Sequence, residues 1–122
     1  MIFEVHNHAS MKDAIEKLCG FLAENEIPSE RVFDSKLVAS ELIGNVLRHS
    51  GGIAKLCGEI TEEFIELVIL SSIPYIPPKT SKQAPLYAEN GRGLFLVDSV
   101  CEERFVTNDG GIKVRIRIRE SQ

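Results

Sequence analysis

Cysteine is scarce in this 122-residue chain, and odd in number. Cys19, Cys57 and Cys101 stand far apart, with no close pair of the kind that zinc knuckles and redox motifs use. They are expected to be reduced, mostly buried thiols. Histidine is equally thin. His6 and His8 can share one strand face, but nothing nearby supplies a third ligand, so a histidine metal site is not expected. Long apolar runs are missing as well: nothing approaches the ~18 residues of a membrane span, and no charged-then-apolar signal segment opens the sequence. Massed positive charge is also absent. The net charge is −4 and the pI about 5.4, with Lys and Arg scattered. Nucleic-acid phosphates ask for a basic stripe, so direct nucleic-acid binding is excluded as the main partnership. There are no internal repeats. What remains, 43% hydrophobic and 26% charged residues, is ordinary for a globular protein. The length suits one domain spanning residues 1–122, and a cytoplasmic, membrane-free location is expected.

Hydropathy patterning predicts the elements. IFEVH at 2–6 alternates as a strand, and NHAS follows as a turn with a helix cap. Met11, Ile15, Leu18, Phe21 and Leu22 fall at helical spacing over 10–25. Pro28 lies in the next connection, and Ser29 is the expected cap of a second helix running to about Arg48, ended by Gly51-Gly52. IAKLCGEI and FIELVILS read as a hairpin turning at Thr61-Glu62. SIPYIPPKTSKQAPLYAEN, over 72–90, holds four prolines and no steady period, and is expected to be a long loop of the lid or binding type. GRGLFLVDSVCEE resumes helical spacing. RFVTNDGGIKVRIRIRE reads as strand, turn at Asn108–Gly111, and strand, with Arg115, Arg117 and Arg119 expected on a solvated face. Helices interrupt the strands too rarely for a doubly wound parallel sheet. An α+β fold is expected, with a mostly antiparallel sheet and about three helices packed on one face as a two-layer sandwich.

The second helix is unusual. At 100° per residue, Asp34, Glu41, Asn45 and Arg48 fall in a sector about 60° wide, while apolar residues spread around most of the rest. A surface helix has roughly the reverse proportions. Packing on several sides is therefore expected, with a narrow polar seam. That seam is either the wet edge of a core helix or a polar site set in an apolar wall. In a site, a carboxylate accepts a proton and an amide oxygen binds a hard cation such as Mg²⁺.

GRGLFL at 91–96 is a weak glycine motif by itself. A Rossmann reading needs a strand directly before the glycines and a third glycine after them. Here a proline-rich stretch precedes them and Phe95-Leu96 follow. No phosphate-binding G-x-x-x-x-G-K-[ST] loop or G-x-S-x-G elbow occurs. The stretch is either a hinge into a helix or a glycine-lined helix N-terminus suited to phosphate, with Arg92 adding charge.

Taken together, E-x-x-x-N on a buried helix, a hairpin, a long loop and G-x-G-L opening another helix resemble the Bergerat-type (GHKL) ATP-binding fold. Gyrase, histidine kinases and mismatch-repair ATPases share that histidine-kinase-like ATPase fold. The length and element order look most like the bacterial anti-sigma factor serine kinases. SELIGNVLRHS (40–50) is similar to the N box and ENGRGLFLVDSV (89–100) to the second glycine box, and DGGIKVRIRI looks like the last hairpin of the family. The resemblance covers nearly the whole chain. It implies ATP and Mg²⁺ as ligands, with Glu41 as general base toward a protein-substrate hydroxyl and Asn45 as the Mg²⁺ ligand. It also implies a phosphate cradle of Gly91, Arg92, Gly93 and Leu94, with His49 shaping the pocket edge. The implied partners are a sigma factor and an anti-anti-sigma antagonist protein. The family often forms homodimers, and the oligomeric state here is left open.

The first glycine box departs from the family form D-x-G-x-G-F-x-P. Ser71 stands at the adenine-binding Asp position, and Ile73 and Tyr75 stand at the glycines. Loss of a charged hydrogen bond costs about 1.5–3 kcal/mol, about one to two decades of affinity. The two side chains also occupy space that the family leaves open. Two functions follow. One is an ATP-dependent serine/threonine kinase acting in transcription regulation; the other is a non-catalytic partner-switch module of the same fold with lost or altered nucleotide binding.

Overall fold

The computed structural model describes residues 1–49, 52–72, 95–107 and 110–119. Its elements are β1 (Ile2–Val5), α1 (His8–Glu24), α2 (Ser29–His49), β2 (Ala54–Ile60), β3 (Phe64–Ser71), β4 (Glu103–Val106) and β5 (Ile112–Arg117). Residues 95–100 are also helical. The expected long loop falls mostly outside the described residues, as do the positions Ile73 and Tyr75.

Local chemistry sets the helix ends, one or two residues from where periodicity alone puts them. Within NHAS it is Asn7 that caps α1: the Ser10 amide donates to Asn7 Oδ1 at 2.9 Å and the Asn7 amide donates back to Ser10 Oγ at 3.1 Å. The C-terminus of α1 closes with the Ile27 amide on Leu22 O and the Glu26 amide on Ala23 O, at 3.1 and 3.0 Å. That pattern needs a left-handed residue between them, and Glu26 takes it at φ 62°. At α2 the carbonyl of Pro28 accepts the first helical bonds, from Arg31 and Val32. Ser29 therefore lies inside the helix instead of capping it.

The strands form one antiparallel sheet in the order β1-β2-β3-β5-β4. Alternation decides its two faces. Leu56, Ile65, Leu67, Ile69, Ile112, Val114 and Ile116 point to one side and are almost fully buried. They meet Ala14, Ile15, Leu18 and Leu22 of α1 and Val38, Ala39, Leu42, Ile43 and Val46 of α2. The result is the expected α+β arrangement, helices over one face of an antiparallel sheet. Gly111, before β5, lies so close to Leu70 that a Cβ would collide with it.

The other face carries more than solvated arginines. Glu66, paired across strands with Arg115, receives the Arg115 guanidinium at 2.9 Å and the Lys113 ammonium at 3.4 Å. The Arg117 and Arg115 guanidiniums stand 4.9 and 5.9 Å from the Phe64 ring centroid, so this row is held by carboxylates and rings.

Candidate functional site

The site begins with the burial of α2. Its buried side chains from Ser35 to Val46 span an arc of about 160° at helical spacing, with Gly44 buried on the opposite side beneath Arg48, and Phe33 is 65% exposed. The helix is thus less enclosed than its composition suggests, and the polar seam runs along one border of the buried arc. Arg48 is exposed, Glu41 and Asp34 are half-buried, and Asn45 is 1% exposed, beside the core. Asp34 is held by Arg31 one turn earlier, at 3.3 Å. Glu41 has no ion pair among the described residues.

Ser35 and Asn45 are the buried polar side chains among the described residues, and they differ sharply. Ser35 Oγ donates to the Arg31 carbonyl at 2.8 Å, which satisfies it within its own helix. Asn45 is satisfied on one side only. Its Oδ1 accepts from Arg48 Nη2 at 2.5 Å, and its Nδ2 is buried with no partner. The guanidinium can only donate, so the amide atom facing it must be the oxygen and the orphaned atom must be the nitrogen. A buried donor without a partner costs about 1–3 kcal/mol, which a purely structural position would avoid.

Gly44 lies directly beneath the Arg48 contact. A Cβ there would stand 3.2 Å from Arg48 Nη1 and 3.9 Å from its Cζ, so the guanidinium lies back across the helix over the glycine. Glycine inside a helix costs about 1 kcal/mol relative to alanine. Sequence reasoning put Arg48 in the seam but gave it no role, and it passed over Gly44. The available signal was a helix-interior glycine four residues before an arginine.

The other expected site residues are placed less fully. Ser71 ends β3 opposite Ala54, with the strand parity of Leu67 and Ile69, so it shares the sheet face that α2 covers. His49 is the last residue of α2. Gly91, Arg92, Gly93 and Leu94 lie outside the described residues. The helical residues that follow them are tied to β4 by Arg104, which grips Asp98 with Nε at 2.6 Å and Nη2 at 3.1 Å. Cys101 lies just beyond. Burial, helped by Asp98, pushes its thiol up to about 12. It is therefore no nucleophile at neutral pH.

A cleft of about 310 Å³ is lined by Glu4, Ile53, Lys55, Leu70, Ser71 and Ser72. Glu4, Lys55 and Leu70 are register partners on the sheet face away from the helices, so the cleft lies across the sheet from Asn45. Among the described residues no three His, Cys, Asp or Glu side chains converge as a metal cage, and no helix is long and apolar enough to cross a membrane.

No protein-family model matches this sequence. Among curated proteins, the chain is similar to the serine-protein kinase RsbW of Staphylococcus epidermidis. It is 26% identical over 113 aligned residues, covering 80% of this chain and 71% of the relative. RsbW from two further strains of that species matches with the same identity and coverage.

Proposed function

We propose that this chain is an anti-sigma-type regulator built as one ATP-binding domain over residues 1–122, acting in the cytoplasm as a serine-protein kinase toward an antagonist protein. A single observation carries the proposal: a buried amide with an unsatisfied nitrogen, one turn from a half-exposed carboxylate that makes no ion pair among the described residues, on a helix whose other buried polar group is satisfied. The likeness to a serine-protein kinase supports it. So does the order of N-box and glycine-box motifs, which resembles the Bergerat fold.

In this reading Glu41 accepts the proton of the substrate serine hydroxyl. Its half-exposure lets a protein substrate reach it, and the lack of an ion pair among the described residues leaves the carboxylate available. Gly91, Arg92, Gly93 and Leu94 cradle phosphates, with His49 at the pocket edge and Ser71 toward the base. The donor set fits Mg²⁺, which takes one or two protein oxygens and completes its shell with phosphates and water. Asn45 Oδ1 would hold it, and the ion, when bound, would neutralise phosphate charge. Sigma factor and antagonist are the partners of this reading. Phosphotransfer from labelled ATP to candidate antagonists tests it: Glu41→Gln should abolish transfer while leaving ATP binding intact. Transfer that survives Glu41→Gln removes the base assignment.

The second reading, a non-catalytic partner-switch module, is favoured by Ser71 at the adenine position and by the guanidinium already on Asn45 Oδ1. Calorimetry separates the two. Absence of any ATP heat with Mg²⁺ at millimolar concentration, with partner binding retained, selects the module.

A further inference from the structure

We propose that Arg48 is a built-in competitor for the cation seat on Asn45: its guanidinium caps Asn45 Oδ1, and a divalent ion takes that oxygen only by displacing it. The proposal rests on the reading that Asn45 faces a metal-bearing ligand, and adds a device that this reading does not require.

Three features of the chain support it. First, the amide oxygen that would meet a metal accepts from a permanent cation at 2.5 Å, and donor chemistry fixes that orientation. Two cations cannot share one amide oxygen at contact distance without strong repulsion. Second, Arg48 makes an unusual choice of partner. Arg31, Arg104, Arg115 and Arg117 each sit on a carboxylate. Arg48 instead takes a neutral amide, although Glu41, on the same seam, has no ion pair among the described residues. Third, the contact has a prepared bed. Gly44 leaves the space in which the guanidinium recrosses the helix, at a local expense in helix propensity. Displacement is feasible because Arg48 is exposed. The guanidinium can swing into solvent, or onto an incoming phosphate, once a cation arrives.

The consequence is a metal threshold. At low divalent cation the arginine holds the seat; at high cation, or with a polyphosphate that attracts the guanidinium, the seat opens.

The test uses the full ¹⁵N-labelled chain with a non-hydrolysable triphosphate analogue, titrated with Mn²⁺. The readout is paramagnetic broadening of the Gly44 and Val46 amides. Arg48→Met should lower the Mn²⁺ concentration for half-broadening by about tenfold, equivalent to about 1.4 kcal/mol. Arg48→Lys, which keeps the charge without the planar fork, should fall between. Asn45→Ala should abolish the local broadening. An Arg48→Met titration that matches or lies above that of the native chain overturns the proposal, as does no broadening in either protein. If Asn45→Ala weakens broadening and Arg48→Met changes nothing, the competition fails and the site reading stands. If broadening survives Asn45→Ala, the site reading fails and the proposal fails with it.

Discussion

Replacing Asn45 with leucine should make the protein more stable while removing the proposed Mg²⁺ ligand. Leucine approximates the branched outline of asparagine, so it tests the polar atoms more than the shape. The change removes an orphaned buried Nδ2, worth about 2 kcal/mol in relief. It also exchanges a poor helix former for a good one, worth a few tenths of a kcal/mol. Against this stands the bond from Arg48 to Oδ1. Because Arg48 is exposed, water replaces that bond readily and the loss is about 1 kcal/mol or less. Leucine is somewhat larger, and crowding against Val38 and Leu42 removes part of the gain. The net expectation is about 1 kcal/mol of added stability, a rise of about 3–5 °C in Tm for a chain of this length. Urea unfolding followed by far-UV circular dichroism, with an unchanged m-value, is the assay. Ser35→Ala serves as the control, since Ser35 is equally buried but satisfied, and its removal should change stability by less than about 1 kcal/mol. Destabilisation of Asn45→Leu by 1 kcal/mol or more would refute the reasoning, because it would make the amide a structural member of the core.

Glu26→Gly should stabilise by about 1 kcal/mol, read as a Tm increase, because Glu26 holds a left-handed conformation that suits glycine. Glu66→Ala should lower the urea midpoint by the equivalent of about 1–2 kcal/mol, since it leaves Lys113 and Arg115 facing each other; Lys17→Ala, which breaks an exposed pair, should cost under about 0.5 kcal/mol. Cys101, its thiol pushed up by burial and then by Asp98, should resist iodoacetamide at pH 8 in the folded state. Its folded pKa lies above the unfolded one, so its contribution to stability is complete below about pH 9 and is lost as pH climbs toward about 12. Cys101→Ala should flatten that alkaline part of a stability profile.

The fold was readable where one rule dominated. The β2–β3 hairpin was legible as two apolar runs on either side of Thr61-Glu62, and five strands appear in the expected chain order. Helix ends were less legible, because Asn7 and Ser10 can both cap and only a reciprocal pair of bonds decides between them. The arginine row of β5 looked solvated because periodicity reports a face and not its partners. Glu66, Glu102 and Glu103 lie 12 to 49 residues away in sequence and only the strand pairing brings them in. In the site, the seam of Glu41, Asn45 and Arg48 was legible at 100° per residue. Which of the three is buried was not, since they lie within 60° and the border of the buried arc passes between them.

In the proposed function, that border is what gives the site its chemistry. A carboxylate fully inside the arc would be held protonated by desolvation, and an amide fully outside it would be hydrated and indifferent to cations. Moving along the seam from Arg48 to Asn45, the helix passes from solvent to core within about one turn. Glu41 therefore stays open to water while Asn45 lies beside the core. An exposed arginine bedded on Gly44 is the group placed to cover that oxygen. Catalytic and non-catalytic readings share this arrangement and differ in what uncovers it. A kinase needs the guanidinium to leave when nucleotide and cation arrive. A binding module is served if it stays, because Arg48, seated on Asn45, then presents a fixed positive charge near the helix end, and a partner carboxylate can meet it without nucleotide.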